Sequence, residues 1–377
     1  MTESALNRTA YAELVARAQR EIDEGLLPSC QFAVGYRGEI VDKATLGDTP
    51  AGDDSRYVMF SATKGIVVAA MWQLLSEGAV TLDQRVAEIV PEFGTNEKDG
   101  VTVEQLLTHR AGFPRAPLGP PAWSDRGERL KAFANWKVNW EPGSRYEYHT
   151  TSAHWVLAEI IERIDSEDYK SAIARRITRP LGLNSMAVGV PPEEQGDIAR
   201  VRNVGEPATA EEWKAALGVS GFDTGEVTDE ALAYFAEPEA IAVGVPGGGG
   251  VTNASDLALL YQELLHNSRG LWDAGVLADA TGHVRVSEPD FLFAGAAANR
   301  GLGVIIAGND GRAASRGFGH TVGPRAFGHN GAGGQVAFAD PDSGLSFAYL
   351  TNGNDRHLIR QQRRVAGIAS RAARCVS

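Results

Sequence analysis

The chain has 377 residues, 43% of them hydrophobic and 22% charged, with a formal net charge of −12. That length admits one large domain or two smaller ones, and the composition is that of a folded soluble protein. The acidity disfavours nucleic acid and anionic membrane as partners, because both select clustered Lys and Arg.

The polar N-terminal stretch carries an amphipathic helix from about Ala10 to Glu24 and has no basic-then-apolar signal region. "CQFAVGYRGEIVDKATLG" follows as two short β runs turning at Gly38, a hairpin. Next is "FSATKGIVVAAMWQLL", where nine of the ten residues from Ile66 to Leu75 are apolar and only Gln73 interrupts. "TVEQLLTHRAGF" reads as a helix ending near Gly112, and "PRAPLGPPAW" as a Pro-rich loop. In that region Phe113 and Trp123 fit either a pocket wall or ordinary packing. "SAHWVLAEIIERI" and "SDLALLYQELLHN" have helical apolar spacing, the second with Ser255 as its cap. The last third turns to strands, "GLGVIIAG" and "QVAFADPDSGLSFAYLTNG", as an antiparallel meander. A helix from about Arg356 to Ala373 closes the chain.

Strands at both ends and helices between them predict one α/β lobe, from about 1–75 and 255–377, with an inserted helical lobe of about 76–254. No run reaches membrane-span length. Cys30 and Cys375 lie at opposite ends of the chain and have neither metal-ligand nor redox spacing. A cytoplasmic protein with reduced thiols, no metal and no cofactor is expected.

Lys64 stands at the head of the greasiest segment, where a charged amine is costly unless it is paired or its pKa falls. Among the serines, only Ser61 has a lysine three places on. If Ser61 opens a helix, the i,i+3 spacing puts both side chains on one face, and free N–H groups at the helix start favour developing negative charge. A lysine with a lowered pKa could then activate the serine. The alternative is an N-cap serine and a lysine that snorkels to water, and the motif alone leaves the two open.

Three further stretches bear on that choice. In "WEPGSRYEYHTTSAHWVLAEIIE" Tyr148 precedes a helix, and near cations it could be held as a phenolate base. In "FGHNGAGGQVAFADP" His329, Asn330 and Gly331 lead into a strand whose edge could hold a substrate and complete an oxyanion hole. The glycines of "PGGGGVTNASDLALL" allow close backbone approach.

The order of these pieces resembles the serine β-lactamase-like superfamily, nearest to the branch of class C β-lactamases, D-aminopeptidases and family VIII carboxylesterases. The resemblance rests on "SATKGIVVAAMWQLLSEGAVTLDQRVAEIVPEF", "VTVEQLLTHRAGFP", "PGSRYEYHTTSAHWVLAEIIE", "PLGLNSM" and "GHNGAGGQVAFADPDSGLSFAYLTN". It implies the two-lobed fold, an antiparallel sheet flanked by helices with an inserted helical lobe. It implies Ser61 as nucleophile, Lys64 as its activator and Tyr148 as a shared base. The backbone N–H groups of Ser61 and Ala332 would form the oxyanion hole. His329, Asn330, Gly331 and Thr150 would meet substrate.

Two departures stand out. The Y-x-N motif reads Tyr148-His149-Thr150, which removes an asparagine that would bond a substrate amide. K-T-G reads His329-Asn330-Gly331, which removes a permanent cation and a hydroxyl for a β-lactam carboxylate. Both favour a small ester over a β-lactam. The expected activity is a serine carboxylesterase working through an acyl-enzyme on a small-molecule ester. An amide or peptide hydrolase and an acyltransferase would use the same residues, and a non-catalytic scaffold is the remaining alternative. No G-x-S-x-G, H-E-x-x-H, P-loop or C-x-x-C pattern competes. A second Phe-Gly-His, at His320, lacks the Gly-rich strand entry that follows His329.

Overall fold

The computed structural model describes residues 6–376. Its main sheet has six strands in the order Glu39–Gly47, Ser29–Tyr36, Leu345–Thr351, Val336–Asp340, Phe327–Gly328 and Ile305–Ile306. Every neighbouring pair is antiparallel. Side chains alternate across a strand, and here the alternation separates two cores. Phe32, Val34, Phe338, Phe347 and Tyr349 face the helices Arg8–Asp23 and Leu358–Ala372. Ala33, Ala337, Ala339 and Ala348 face the other way, into the larger core shared with the helix Ala254–His266. Small residues on that face let the helix lie close to the sheet.

The helix Thr63–Ser76 is buried at every position from Thr63 to Leu74. An apolar helix without a polar face belongs inside a core, and this one lies in the cluster that also takes in the helix Ser152–Asp165. Its polar exceptions are satisfied there. Gln73 Nε2 donates to Arg176 O at 3.0 Å, and Trp72 Nε1 to Leu302 O at 3.0 Å.

Two local readings need correction. The helix before Gly112 spans only Val103–Leu107. His109 takes a left-handed φ of 58°, and the chain then runs beside 139–147, with Asn139 N donating to Gly112 O and Gly143 N to Arg110 O. Those tertiary bonds outweigh helical spacing. The cap of Ala254–His266 is Asn253, whose side chain accepts from Asp256 N, and not Ser255. Cys30 and Cys375 are free, buried thiols in the core under the terminal helices, and burial pushes both up to about 12. Among the described residues no helix is long and apolar enough to cross a membrane.

Candidate active site

Ser61 lies in a single helical turn, Phe60–Ala62, that runs directly into Thr63–Ser76. The turn is clamped from outside the helix. Tyr57 and Val58 pair with Thr252 and Val251, Met59 N donates to Gly250 O, and Gly250 N donates to Thr63 Oγ1 at 2.9 Å. Phe60 has a φ of +46°, a left-handed conformation that costs a bulky residue about 1 kcal/mol or more. Strain of that kind immediately before a serine is a recurring mark of functional sites. The strand edge beyond Asn330 approaches the same turn. A Cβ on Gly331 would lie 2.2 Å from Met59 O, so only glycine lets Ala332 come alongside Ser61. Ser61 and Ala332 each stand in the first turn of a helical segment, where N–H groups lack an intrahelical acceptor, and both line one cleft.

Lys64 is fully buried. Its Nζ lies 2.7 Å from Thr150 O, 2.6 Å from Gly247 O and 3.3 Å from Ser61 Oγ. Burial, reinforced by the charge of Arg300, holds its pKa well below the usual lysine range. A neutral amine has two N–H groups and one lone pair. In that form the two carbonyls, which can only accept, would take the N–H groups and leave the lone pair toward the serine hydroxyl, whereas an ammonium donates to all three. The Gly247–Gly250 run is thus packed rather than slack: a Cβ on Gly247 would lie 2.9 Å from Thr151 Cα.

The Tyr148 ring lies under Lys64 Nζ, 5.0 Å from its centroid, and under the Arg300 guanidinium at 4.9 Å. Burial pushes its phenol up to about 12, while the Arg300 charge and a hydrogen bond with Ser61 oppose the rise. The phenolate expected from the sequence is therefore replaced by a neutral phenol. Burial thus shifts Lys64 toward its neutral form, as it does Tyr148.

Arg300 is the principal residue that sequence reading missed. It is 1% exposed, and its Nη1 lies 3.3 Å from His329 Nε2. Its Nε donates to Tyr146 Oη at 3.1 Å, and its Nη2 lies 3.5 Å from Asp290, which also accepts from Tyr146 Oη. A permanent cation thus stands behind the His-Asn-Gly turn, although the turn itself carries none. No local spacing links Arg300 to that turn, so the sequence held no signal for it.

Two expected substrate contacts are spent inside the protein. His329 Nδ1–H donates to Asn330 O at 2.9 Å while Nε2 faces Arg300, which fixes a neutral ring. Asn330 uses both ends of its amide, donating to Arg316 O and accepting from Ala337 N. His109, His149, His154 and His329 are all buried and pushed down, His149 to about 4. None carries charge near neutral pH. His149 is a structural clamp: Nδ1–H donates to Glu147 O, and Nε2 accepts from Phe113 N.

A narrow, open cleft lies at Ser61. Its walls are mainly apolar, with Phe60, Leu232 and Phe235 facing Thr150 and Glu226. Trp123 packs behind Phe235 at 5.4 Å, outside the lining, and Phe113 lies in the core against Phe93 and Trp136. The decoy His320 is exposed, with its N–H on Ser370 Oγ.

The family model described as Beta-lactamase matches residues 14–369. The chain belongs to the Beta-lactamase family. It has the β-lactamase-like fold. A proposed D-alanyl-D-alanine carboxypeptidase of Escherichia coli (strain K12) is 27% identical over 75% of this chain and 65% of its own length. Esterase EstB of Burkholderia gladioli is 30% identical over 48% of this chain and 55% of its own. The chain thus spans less than two thirds of the length of these two curated relatives. A solved family VIII carboxylesterase superposes with a TM-score of 0.77, covering 96% of this chain and 97% of that one, at 24% identity. At that identity the likeness speaks for the fold alone.

Proposed function

We propose that the protein is a serine carboxylesterase that cleaves small esters through an acyl-enzyme on Ser61. The observation that carries this reading is the buried Lys64 amine, held by two carbonyls with its third contact on Ser61 Oγ at 3.3 Å. Lys64 takes the Ser61 proton as Oγ attacks the ester carbonyl. The oxyanion is met by the N–H groups of Ser61 and Ala332. Tyr148 and Lys64 return the proton to the leaving alcohol. The same pair then activates water against the acyl-enzyme.

The ester preference follows from unpaired groups. A β-lactam brings a carboxylate and a side-chain amide that must both be desolvated, and a site lacking fitted partners rejects them. Asn330 and His329 are engaged elsewhere, and Thr150 replaces the amide-binding asparagine of relatives. A second reading, a peptide or lactam hydrolase, draws on the Arg300 cation behind His329. Arg300 is buried and already faces Asp290. On the same preparation kcat/KM for p-nitrophenyl butyrate should exceed that for nitrocefin by roughly 10²-fold or more. Equal or greater efficiency on nitrocefin would favour the second reading.

The pH dependence follows from Lys64. Below its pKa the amine is an ammonium and cannot accept a proton, so kcat/KM should fall as pH falls through that pKa. Tyr148, pushed up to about 12, adds no descending limb in the neutral range. The buried histidines are already neutral there. The acid limb should therefore survive His329→Gln and vanish from the residual activity of Lys64→Ala. A limb that moves with His329 instead would reassign the base.

A further inference from the structure

We infer that the Ser61 cleft is built for a cationic acyl chain, with Glu226 as the counter-ion of an ammonium group on the acyl side of the ester. The inference rests on the esterase reading of the same site and adds its substrate class.

Position comes first. Glu226 lines the cleft together with Ser61 and Ala332, and among the described lining residues it is the only charged side chain. Lys64 and Tyr148, which must meet the leaving alcohol, are absent from that lining. The cleft therefore takes the acyl half of the ester, and Glu226 faces that half.

Pairing comes second. The carboxylates Glu159, Glu162, Asp165 and Asp355, all nearly fully buried at the side chain, each have an arginine partner, whereas Glu226 is solvent-exposed. Glu226 forms no ion pair among the described residues. Its hydrogen-bond partner is the Thr150 hydroxyl, and the nearby Arg115 pairs instead with Glu147 at 3.2 Å. Crowding against the wall raises the Glu226 pKa, opposed by the Arg115 field and Thr150, and a bound cation would reverse that rise. Glu226 is solvent-exposed at the cleft, so an entering cation can reach it without displacing a protein partner.

The walls supply the third observation. Phe60 and Phe235 line the same cleft, and aromatic faces beside a carboxylate are a setting for an ammonium ion. Thr150 stands where relatives of this motif carry an asparagine. The side-chain amide could donate to a neutral acyl group, whereas Thr150 presents Glu226, an acceptor only. The net charge of −12 also favours approach of a cation over an anion.

The test uses a matched pair of substrates. One is p-nitrophenyl γ-(trimethylammonio)butyrate. The other is its isostere, in which a quaternary carbon replaces the nitrogen. Wild type should favour the cation in kcat/KM by about tenfold, the scale of a partly desolvated cation contact. Glu226→Gln should abolish or invert that ratio. A ratio near one in wild type, or one that Glu226→Gln leaves in place, would overturn the inference. If neither ester is turned over, the esterase reading fails, and a binding measurement decides the cation site by itself. The Ser61→Ala protein is then titrated calorimetrically with the corresponding pair of amides. Tighter binding of the cationic amide, lost on adding Glu226→Gln, supports the site; equal or weaker binding overturns it.

Discussion

Ser61→Ala should remove ester turnover, with kcat falling on the order of 10⁴-fold or more, as expected when a nucleophile is lost. The fold should stay intact. Ser61 contributes one contact to Lys64, whereas the Thr150 and Gly247 carbonyls hold that amine in place without it. The turn is held by the pairing of Tyr57–Val58 with Gly250–Thr252 and by the Thr63 hydroxyl, none of which involves the serine side chain. The thermal midpoint should therefore move by no more than a few degrees. Substantial ester turnover in a folded Ser61→Ala protein would place the chemistry elsewhere.

Lys64→Ala and Tyr148→Phe should each lower kcat by roughly 10²-fold or more, the range for a lost acid–base group. Their effects should not multiply, because both act on the one proton at Ser61 Oγ. The two substitutions differ in stability. Tyr148→Phe removes a hydroxyl and keeps the ring against which Arg300 and Lys64 stack. Lys64→Ala leaves the Thr150 and Gly247 carbonyls without their donor and opens a cavity, so it should also lower the thermal midpoint. The double variant separates the readings. A kcat close to that of the worse single variant supports one shared proton path. Independent losses would mean that Tyr148 and Lys64 work in separate steps, and a Tyr148→Phe rate within a few-fold of wild type would leave the tyrosine a packing residue.

The parts of this site that lie close together in the chain were legible from the residues. Ser61 and Lys64 are three apart on a segment with no polar face, and burial of that whole segment follows from its composition. The strand alternation was legible too, because large residues and alanines alternate from Phe32 to Val34 and from Val336 to Ala339. What escaped is set by tertiary approach. Arg300 reaches His329 across 29 residues of sequence, and Glu226 reaches Thr150 from a segment with no recognisable spacing. The Tyr148 phenolate was misjudged because burial outweighs neighbouring cations, and burial of one ring is a property of the folded chain. Asn330 looked like a substrate contact for a similar reason. Its amide is consumed by Arg316 O and Ala337 N, one of them 14 residues away in a loop without regular structure. The helix after Thr102 ended early because His109 turns left-handed to meet the segment carrying Tyr148.

Turnover as proposed runs through a covalent intermediate on Ser61, activated by Lys64. The most direct measurement is mass spectrometry of the intact wild-type protein after treatment with a fluorophosphonate, followed by peptide mapping of the adduct. A single phosphonyl group on Ser61, formed faster as pH rises through the Lys64 ionisation, is the predicted result. An adduct on another serine, or none on a protein that still hydrolyses p-nitrophenyl butyrate, would contradict it.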